Sequence, residues 1–286
     1  MLHGNTLPSP AWVRARDGAL LHCRDWGSGP PVVFLASWSL PGESWSRQML
    51  DMAEAGFRCL APDRRGHGRS DDTWDGHDFD TLADDLATHL EARDLRGVML
   101  VTFSAGAGEA VRYLTRHGRG RVARLALVAP TTPLLARTPD HPEGVDPAIF
   151  ESFRRGELRP DFPAWLAANA RDFGGPEVSQ PMLDWVIAMA RTSSARALEA
   201  LHRTLTTADF RAELPRLDLP VLVVQGTRDA TCPPALTGEA TARLIPGARL
   251  ALYEGAPHGL PFSHPERLGA ELIRFARGDT AGAAGA

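Results

Sequence analysis

Short apolar runs alternate with longer amphipathic segments along most of the chain. The runs span five or six residues and favour buried strands over helices; they lie at 31–35, 58–62, 97–101, 125–129, 219–224 and 248–253. Between them, segment 79–93 repeats Leu82, Leu86 and Leu90 on one face, which predicts an amphipathic helix. This alternation predicts an α/β fold with a mostly parallel central sheet and helices on both faces.

The alternation stops between 131 and 208, where eight prolines and helical patterns replace strand-like runs. We interpret 131–208 as a helical cap insertion between two parts of one α/β core, 1–130 and 209–277. It is expected over the carboxyl edge of the sheet, where open α/β folds bind ligands. The small residues of 278–286 predict a flexible C-terminal tail.

Composition narrows the possible functions. The chain has 286 residues, 43% of them hydrophobic and 23% charged, which is typical of a globular protein. A formal net charge of -4 provides no electrostatic footprint for nucleic acid. Every basic residue is arginine, so lysine chemistry is excluded. A small-molecule substrate is therefore the expected partner, and a homo-oligomer remains open.

The sequence gives no sign of export or of a metal site. The three cysteines, Cys23, Cys59 and Cys232, lack metal-ligand spacing, and reduced thiols are expected. The N-terminal residues do not resemble a secretory signal, and no apolar run reaches the length of a membrane span. We therefore expect a cytoplasmic protein that has no contact with membranes and needs neither a cofactor nor a metal.

Ser104 is the candidate nucleophile. The strand-like run ends in Leu-Val-Thr-Phe-Ser-Ala-Gly at 100–106, and an amphipathic segment follows at 109–117. A serine between a strand and a helix predicts a nucleophile elbow, a tight turn that presents the hydroxyl. Such a turn needs small residues on both sides of the serine; Gly106 meets this need, whereas Thr102 occupies the position where glycine is usual.

A base and an acid follow in the order that this chemistry requires. His258 lies in the loop after the last predicted strand, and on its own it would be read as a surface histidine. Asp229 is the only carboxylate in the turn after the preceding strand, where aspartate is otherwise a common turn former. The order Ser104, Asp229, His258 favours a nucleophile, an orienting acid and a general base.

Two backbone N–H groups are candidates for an oxyanion hole. One belongs to Ala105, the residue after the nucleophile, and the other to Trp38, in the loop after the first strong strand. The Trp38 side chain would then form a wall of the substrate pocket or simply contribute to packing.

The chain resembles the α/β-hydrolase superfamily, and within it the branch of bacterial aryl esterases and cofactor-free haloperoxidases (perhydrolases). The resemblance extends from about residue 12 to 277 and is carried by the elbow and by segments 34–45, 63–70, 78–86, 111–118 and 253–259. It implies an α/β-hydrolase fold, Ser104, Asp229 and His258 as a catalytic triad, and the Trp38 and Ala105 amides as the oxyanion hole.

Several residues depart from the pattern of that branch. Ala36 and Ser37 replace the usual His-Gly before the oxyanion tryptophan, which removes a buried anchor of the loop. Ala105 replaces a bulkier methionine and would widen the space beside the nucleophile. Ser39 replaces the proline usual in haloperoxidase-like members, which favours ester hydrolysis over perhydrolysis.

Aromatic and apolar residues of the insertion either line a pocket or form the insertion's own core. The candidates for pocket lining, three of them from the core, are Trp38, Ser37, Phe162, Phe173, Trp185, Met189 and Leu260. We also expect the Gly66-His67-Gly68 turn to place His67 at the surface, and Asp84 and Asp85 to face solvent from the helix at 79–93.

The predicted function is hydrolysis of small carboxylic esters, with aryl or short acyl groups, through an acyl-enzyme. The same residues serve perhydrolysis, lactone opening, acyl transfer and C–C bond hydrolysis, and the sequence does not choose among them. A ligand-binding protein without catalytic activity is the alternative outside enzymes, because function resides in the site and not in the fold.

Overall fold

The computed structural model describes residues 10–279, and their central feature is one eight-stranded sheet. Its strands, in chain order β1 to β8, are Trp12–Arg14, Leu20–Gly27, Pro31–Leu35, Arg58–Pro62, Val98–Phe103, Val122–Val128, Val221–Gly226 and Arg249–Tyr253. They are arranged in the order β1-β2-β4-β3-β5-β6-β7-β8. The six predicted strands are confirmed as β3 to β8, with boundaries that shift by up to three residues.

The sheet is parallel except at its first edge. Strands β1, β2 and β4 pair antiparallel, whereas every pair from β4 and β3 through to β8 is parallel. The sequence reading missed β1 and β2 because β2 carries His22, Arg24 and Asp25 among its apolar residues. A strand with antiparallel neighbours can leave one face toward solvent, so such polar residues are compatible with it.

The described residues contain ten α-helices. In chain order, α1 to α10 are Ser46–Glu54, Phe79–Ala92, Gly106–His117, Pro147–Phe153, Arg159–Gly174, Gln180–Ala190, Ala195–Thr207, Gly238–Leu244, Leu260–Ser263 and Pro265–Arg277. The helix predicted at 79–93 is confirmed as α2. Helices α4 to α7 account for most of the segment at 131–208, and a single π-helical turn, Arg154–Leu158, joins α4 to α5.

The core has two layers, one on each face of the sheet. Alternate residues of β3 separate into them: Val33 and Leu35 pack with α2 and α3, whereas Val32 and Phe34 pack on the opposite face. Residues of β5 to β7 divide in the same way, which explains why these strands read as continuous apolar runs. The parallel strands end together at one edge of the sheet.

Two polar residues lie differently from the expectation. His67 is buried, with 1% of its surface exposed, and Asp85 is also buried. Asp85 accepts two hydrogen bonds from the Arg65 guanidinium, at 2.7 and 2.8 Å. The prediction that both residues face solvent was wrong, because each has a specific polar partner inside the fold that compensates for burial. Asp84 is half-buried and binds Arg116 and His117.

No helix among residues 10–279 has the length and apolar character needed to cross a bilayer. Of the predicted C-terminal tail, residues 280–286 lie outside the described residues.

Candidate active site

Ser104 lies in the sharp turn between β5 and α3. Its φ of +54° is in the left-handed region, which is costly for residues other than glycine. The Ser104 N–H donates to the carbonyl of Val128 on the neighbouring strand β6, at 2.9 Å, which holds the turn against the sheet. The residue is 4% exposed. This backbone geometry is that of a nucleophile elbow.

The residues around the elbow show why it needs small side chains. A Cβ at Gly106 would lie 2.8 Å from the carbonyl oxygen of Leu35, so only glycine fits there. At Thr102, by contrast, the larger side chain fits, and it is fully buried within the sheet. Its Oγ1 has no hydrogen-bond partner among residues 10–279. The departure at Thr102 therefore leaves a buried hydroxyl unsatisfied, while the turn still forms.

His258 and Asp229 form a buried hydrogen-bonded pair. The Nδ1 of His258 lies 2.8 Å from Oδ2 of Asp229, and the side chains are 3% and 0% exposed. The Asp229 carboxylate also accepts from the Cys232 N–H at 2.7 Å and from the Gln225 side-chain amide at 3.0 Å. Three donors therefore fix the carboxylate, and it holds the imidazole with Nδ1–H toward it and Nε2 available as a base.

Ser104 and His258 line the same cavity of about 360 Å³, between the carboxyl edge of the sheet and the helices of 131–208. The helical segment contributes aromatic walls: Phe150, Phe153, Trp165 and Phe173. The His258 ring packs against Phe103 and Phe173, with centroids 5.1 and 5.8 Å away. The cavity therefore has aromatic walls and holds both the serine hydroxyl and the imidazole.

The two backbone N–H groups predicted to form an oxyanion hole have no acceptor within residues 10–279. Neither the Trp38 N–H nor the Ala105 N–H forms a hydrogen bond within the described residues. Trp38 and Ser104 line the same cavity, and Ala105 directly follows Ser104. Both N–H groups are therefore free to donate to a developing oxyanion.

Buried side chains hold the Trp38 loop by its carbonyl groups. The Arg64 guanidinium donates to the Ala36 carbonyl at 2.9 Å and to the Ser37 carbonyl at 3.1 Å, and it pairs with the buried Glu109. His67 Nε2 donates to the Trp38 carbonyl at 2.7 Å. Three successive carbonyls are thus fixed, so the next N–H groups have defined directions.

Sequence reasoning missed this role for Arg64 and His67. The resemblance indicated that the loop lacks its usual histidine anchor at position 36. The structure supplies the anchors from the turn at 63–70, which follows β4. The sequence offered one signal of this role: an arginine and a histidine lie in a short glycine-rich turn directly after a buried strand.

Three buried histidines make stability depend on pH. Burial lowers the pKa of His67 to about 4, of His89 to about 3 and of His202 to about 4, and neighbouring arginines lower each further. In the unfolded chain these groups titrate near pH 6.5. Between about pH 6.5 and 4 the unfolded chain binds protons that the folded protein does not, so stability falls as pH falls.

We therefore expect the free energy of unfolding to drop between pH 7 and 5 by about 2 kcal/mol for each of these histidines. Urea unfolding of wild type and His89→Leu at both pH values measures this. The variant, which is remote from Ser104, should lose about 2 kcal/mol less over this interval. Between pH 7 and 8 the two proteins should change in parallel. Equal losses in both proteins between pH 7 and 5 would contradict the argument for His89.

The predicted pocket residues separate into two groups. Ser37, Trp38 and Phe173 line the cavity; Phe162, Trp185, Met189 and Leu260 do not. On α6 the cavity face is formed by Val186, Ile187 and Ala190. Trp185 and Met189 are four residues apart, so they share a different face of that helix.

The other residues outside the lining have specific packing roles. Phe162 packs against the Trp38 ring from the side, with centroids 5.8 Å apart. Met189 and Leu260 belong to the core layer that contains Phe34. These placements correct the predicted lining at four positions: Phe162, Trp185, Met189 and Leu260.

Cys232 also lines the cavity. Burial, together with the nearby Asp229 charge, raises the pKa of its thiol well above the usual range. A protonated thiol is a weak nucleophile, so Ser104 remains the stronger candidate. Within residues 10–279, no cluster of three or more histidine, cysteine, aspartate or glutamate side chains could hold a metal ion.

Comparison with known proteins gives consistent similarities. Residues 30–265 match the family described as alpha/beta hydrolase fold. A non-heme chloroperoxidase of Kitasatospora aureofaciens is 38% identical over 270 residues, which cover 91% of this chain and 97% of the relative. A bifunctional esterase/perhydrolase of Acinetobacter calcoaceticus is 32% identical, covering 93% and 99%. The crystal structure of a bromoperoxidase from Bacillus anthracis matches with a TM-score of 0.89 and 33% identity, covering 93% and 99%.

Proposed function

The chain belongs to the α/β-hydrolase fold family, and from this premise we propose that it is a serine hydrolase of small carboxylic esters. Ser104 is the nucleophile, His258 the general base and Asp229 the acid that orients it. The N–H groups of Trp38 and Ala105 form the oxyanion hole. The substrates are esters with aryl or short acyl groups, which suit an aromatic cavity of about 360 Å³.

The reaction follows from these positions. His258 Nε2 takes the Ser104 proton as the hydroxyl oxygen attacks the ester carbonyl, and the charge that develops on the carbonyl oxygen is stabilised by the two N–H groups. His258 then protonates the departing alcohol, which leaves an acyl-enzyme. Water, deprotonated by His258, hydrolyses the acyl-enzyme and regenerates Ser104. Asp229 keeps Nδ1 protonated throughout and stabilises the imidazolium.

One observation carries this proposal: the buried 2.8 Å hydrogen bond between Asp229 and His258, in a cavity that also holds Ser104 on its strained turn. A second buried pair, His22 and Asp63, has a similar hydrogen bond of 2.9 Å, but of these two histidines only His258 lines the cavity that contains Ser104. A buried carboxylate with a histidine partner and a neighbouring serine hydroxyl is the arrangement that activates serine.

Perhydrolysis is the second candidate, favoured by two relatives, a chloroperoxidase and a bifunctional esterase/perhydrolase. In this reaction hydrogen peroxide replaces water as the acceptor of the acyl group and gives a peracid. Assay of peracid formation from acetate and hydrogen peroxide distinguishes it from ester hydrolysis alone. Peracid formation faster than hydrolysis of every ester tested would make perhydrolysis the principal activity.

Hydrolysis of p-nitrophenyl esters from acetate to octanoate tests the proposal directly. We expect turnover, together with stoichiometric inactivation by an alkyl phosphonate that labels the peptide containing Ser104. The dependence of kcat/KM on acyl chain length should show which acyl length fills the cavity. A folded protein that neither hydrolyses these esters nor becomes labelled at Ser104 would overturn the proposal and favour a ligand-binding protein.

A further inference from the structure

His202 is a polar side chain inside an aromatic wall. It lies on α7, is 9% exposed and lines the cavity that contains Ser104. Its ring packs against Phe153 at 4.9 Å, Trp38 at 5.3 Å and Phe150 at 6.1 Å. An apolar residue would fill this place without any desolvation cost, so the imidazole calls for an explanation.

Arg154 fixes which nitrogen of His202 carries the proton. The Arg154 guanidinium can only donate, and its Nη1 lies 3.0 Å from Nδ1 of His202, so Nδ1 is the acceptor. The proton of the neutral ring must therefore be on Nε2. Arg154 is itself buried, and it is held by Glu151 and Thr206. The π-helical turn that begins at Arg154 is of a kind often found at functional sites.

The Nε2–H of His202 is left as an unused donor. Among residues 10–279 it has no hydrogen-bond partner, although the ring is nine-tenths buried. Burial and the Arg154 charge lower the pKa of His202 to about 4, so the ring is neutral at pH 7 and keeps this tautomer. A fixed, neutral donor in an apolar cavity discriminates strongly between ligands with and without an acceptor.

We propose that His202 Nε2–H binds an oxygen acceptor on the substrate, so that this site selects esters that carry a second oxygen, such as a ketone, under the cap helices. This inference rests on the proposed ester hydrolysis and specifies its substrate class. The scissile carbonyl lies at Ser104, and the second oxygen lies at the His202 end of the cavity. His202 is then a specificity-determining residue, and Arg154 a positioning residue that acts through it.

Matched esters test the selectivity. The kcat/KM of p-nitrophenyl octanoate is compared with those of the 5-, 6- and 7-oxooctanoates, which keep the chain length and add one carbonyl oxygen. For at least one ketone position, wild type should show an oxo-to-plain ratio about five- to tenfold higher than that of His202→Leu, the range of one neutral hydrogen bond. His202→Gln, which can place an amide N–H near Nε2, should retain part of the preference.

A merely structural role for His202 would lower both rates together and leave the ratio unchanged. An unchanged ratio at all three ketone positions, with octanoate still hydrolysed, would overturn the subsite while leaving the proposed function intact.

Binding separates the subsite from catalysis. With Ser104→Ala as background, calorimetry on the ethyl esters of the same acids should give an oxo-ester Kd that is about five- to tenfold weaker once His202→Leu is added. The Kd of ethyl octanoate should be unaffected. A weaker oxo-ester Kd, found together with no ester hydrolysis by wild type, would support the subsite and refute the proposed esterase activity. An unchanged oxo-ester Kd would refute the subsite.

A nuclear magnetic resonance measurement avoids any change at His202. In the Ser104→Ala protein, the imidazole Nε2–H resonance should shift on addition of the favoured oxo-ester and stay in place with ethyl octanoate. Equal shifts with both ligands, or with neither, would refute the hydrogen bond.

Discussion

Replacement of Ser104 by alanine is expected to reduce kcat for p-nitrophenyl ester hydrolysis by about 10⁵- to 10⁶-fold. In the proposed mechanism the hydroxyl oxygen of Ser104 forms the acyl-enzyme, and alanine has no atom that could do so. Cys232 lines the same cavity, but its thiol is held protonated by burial and by the Asp229 charge. Residual activity would come from the oxyanion hole and from substrate binding alone.

The loss should leave the fold intact. Alanine is close to serine in size and faces a similar cost at φ of +54°, so thermal unfolding should change little. Ser263→Ala, in a short helix, is a matched control that should keep wild-type kcat within about twofold. A Ser104→Ala protein that keeps more than a tenth of the wild-type rate would show that another group forms the bond to the acyl carbon.

The sequence predicted the strands of the core and a candidate triad, but not the polar contacts around them. Six strands were predicted because parallel strands buried on both faces give continuous apolar runs. Ser104, Asp229 and His258 stood out because each follows a strand and their order matches serine hydrolase chemistry. Strand β2, in the antiparallel part of the sheet, was missed because polar and charged residues interrupt its apolar run.

Buried polar contacts were the part that sequence reasoning did not reach. Arg64 and His67 lie in a glycine-rich turn whose sequence suggests a surface position, and their partners are 27 to 29 residues earlier in the chain. His202 lies in an ordinary amphipathic helix, and its partner Arg154 is 48 residues earlier in the chain. The first contacts depend on how the turn after β4 meets the loop after β3, and the second on how α4 and α7 pack together. No local pattern encodes either arrangement.

The second large effect is expected at Asp229. Substitution Asp229→Asn should reduce kcat by about 10⁴-fold with little change in the overall fold. The Cys232 N–H, 2.7 Å from Oδ1, retains the amide oxygen there, so the NH₂ group takes the position of Oδ2. It then faces His258 Nδ1 at 2.8 Å and the Gln225 amide at 3.0 Å.

The asparagine NH₂ and the His258 Nδ1–H are both donors and cannot form a hydrogen bond with each other. We therefore expect His258 to adopt its other neutral tautomer. Nδ1 becomes the acceptor of the asparagine NH₂, and the proton sits on Nε2, the nitrogen that must take the Ser104 proton. The histidine stays in place but holds the wrong tautomer. Asp172→Asn, at an exposed carboxylate that lines the same cavity, changes the same atoms and should keep kcat within about threefold.

Steady-state kinetics of both variants with p-nitrophenyl butyrate distinguish the orienting role from a general effect of charge. A role for Asp229 in fixing the tautomer predicts that kcat falls while KM changes little, because the carboxylate never contacts the ester. A loss below tenfold would mean that His258 keeps its Nδ1 proton without the carboxylate. In that case the Gln225 and Cys232 donors would stabilise a buried charge that the reaction does not need. Their convergence on the Asp229 carboxylate argues against this outcome.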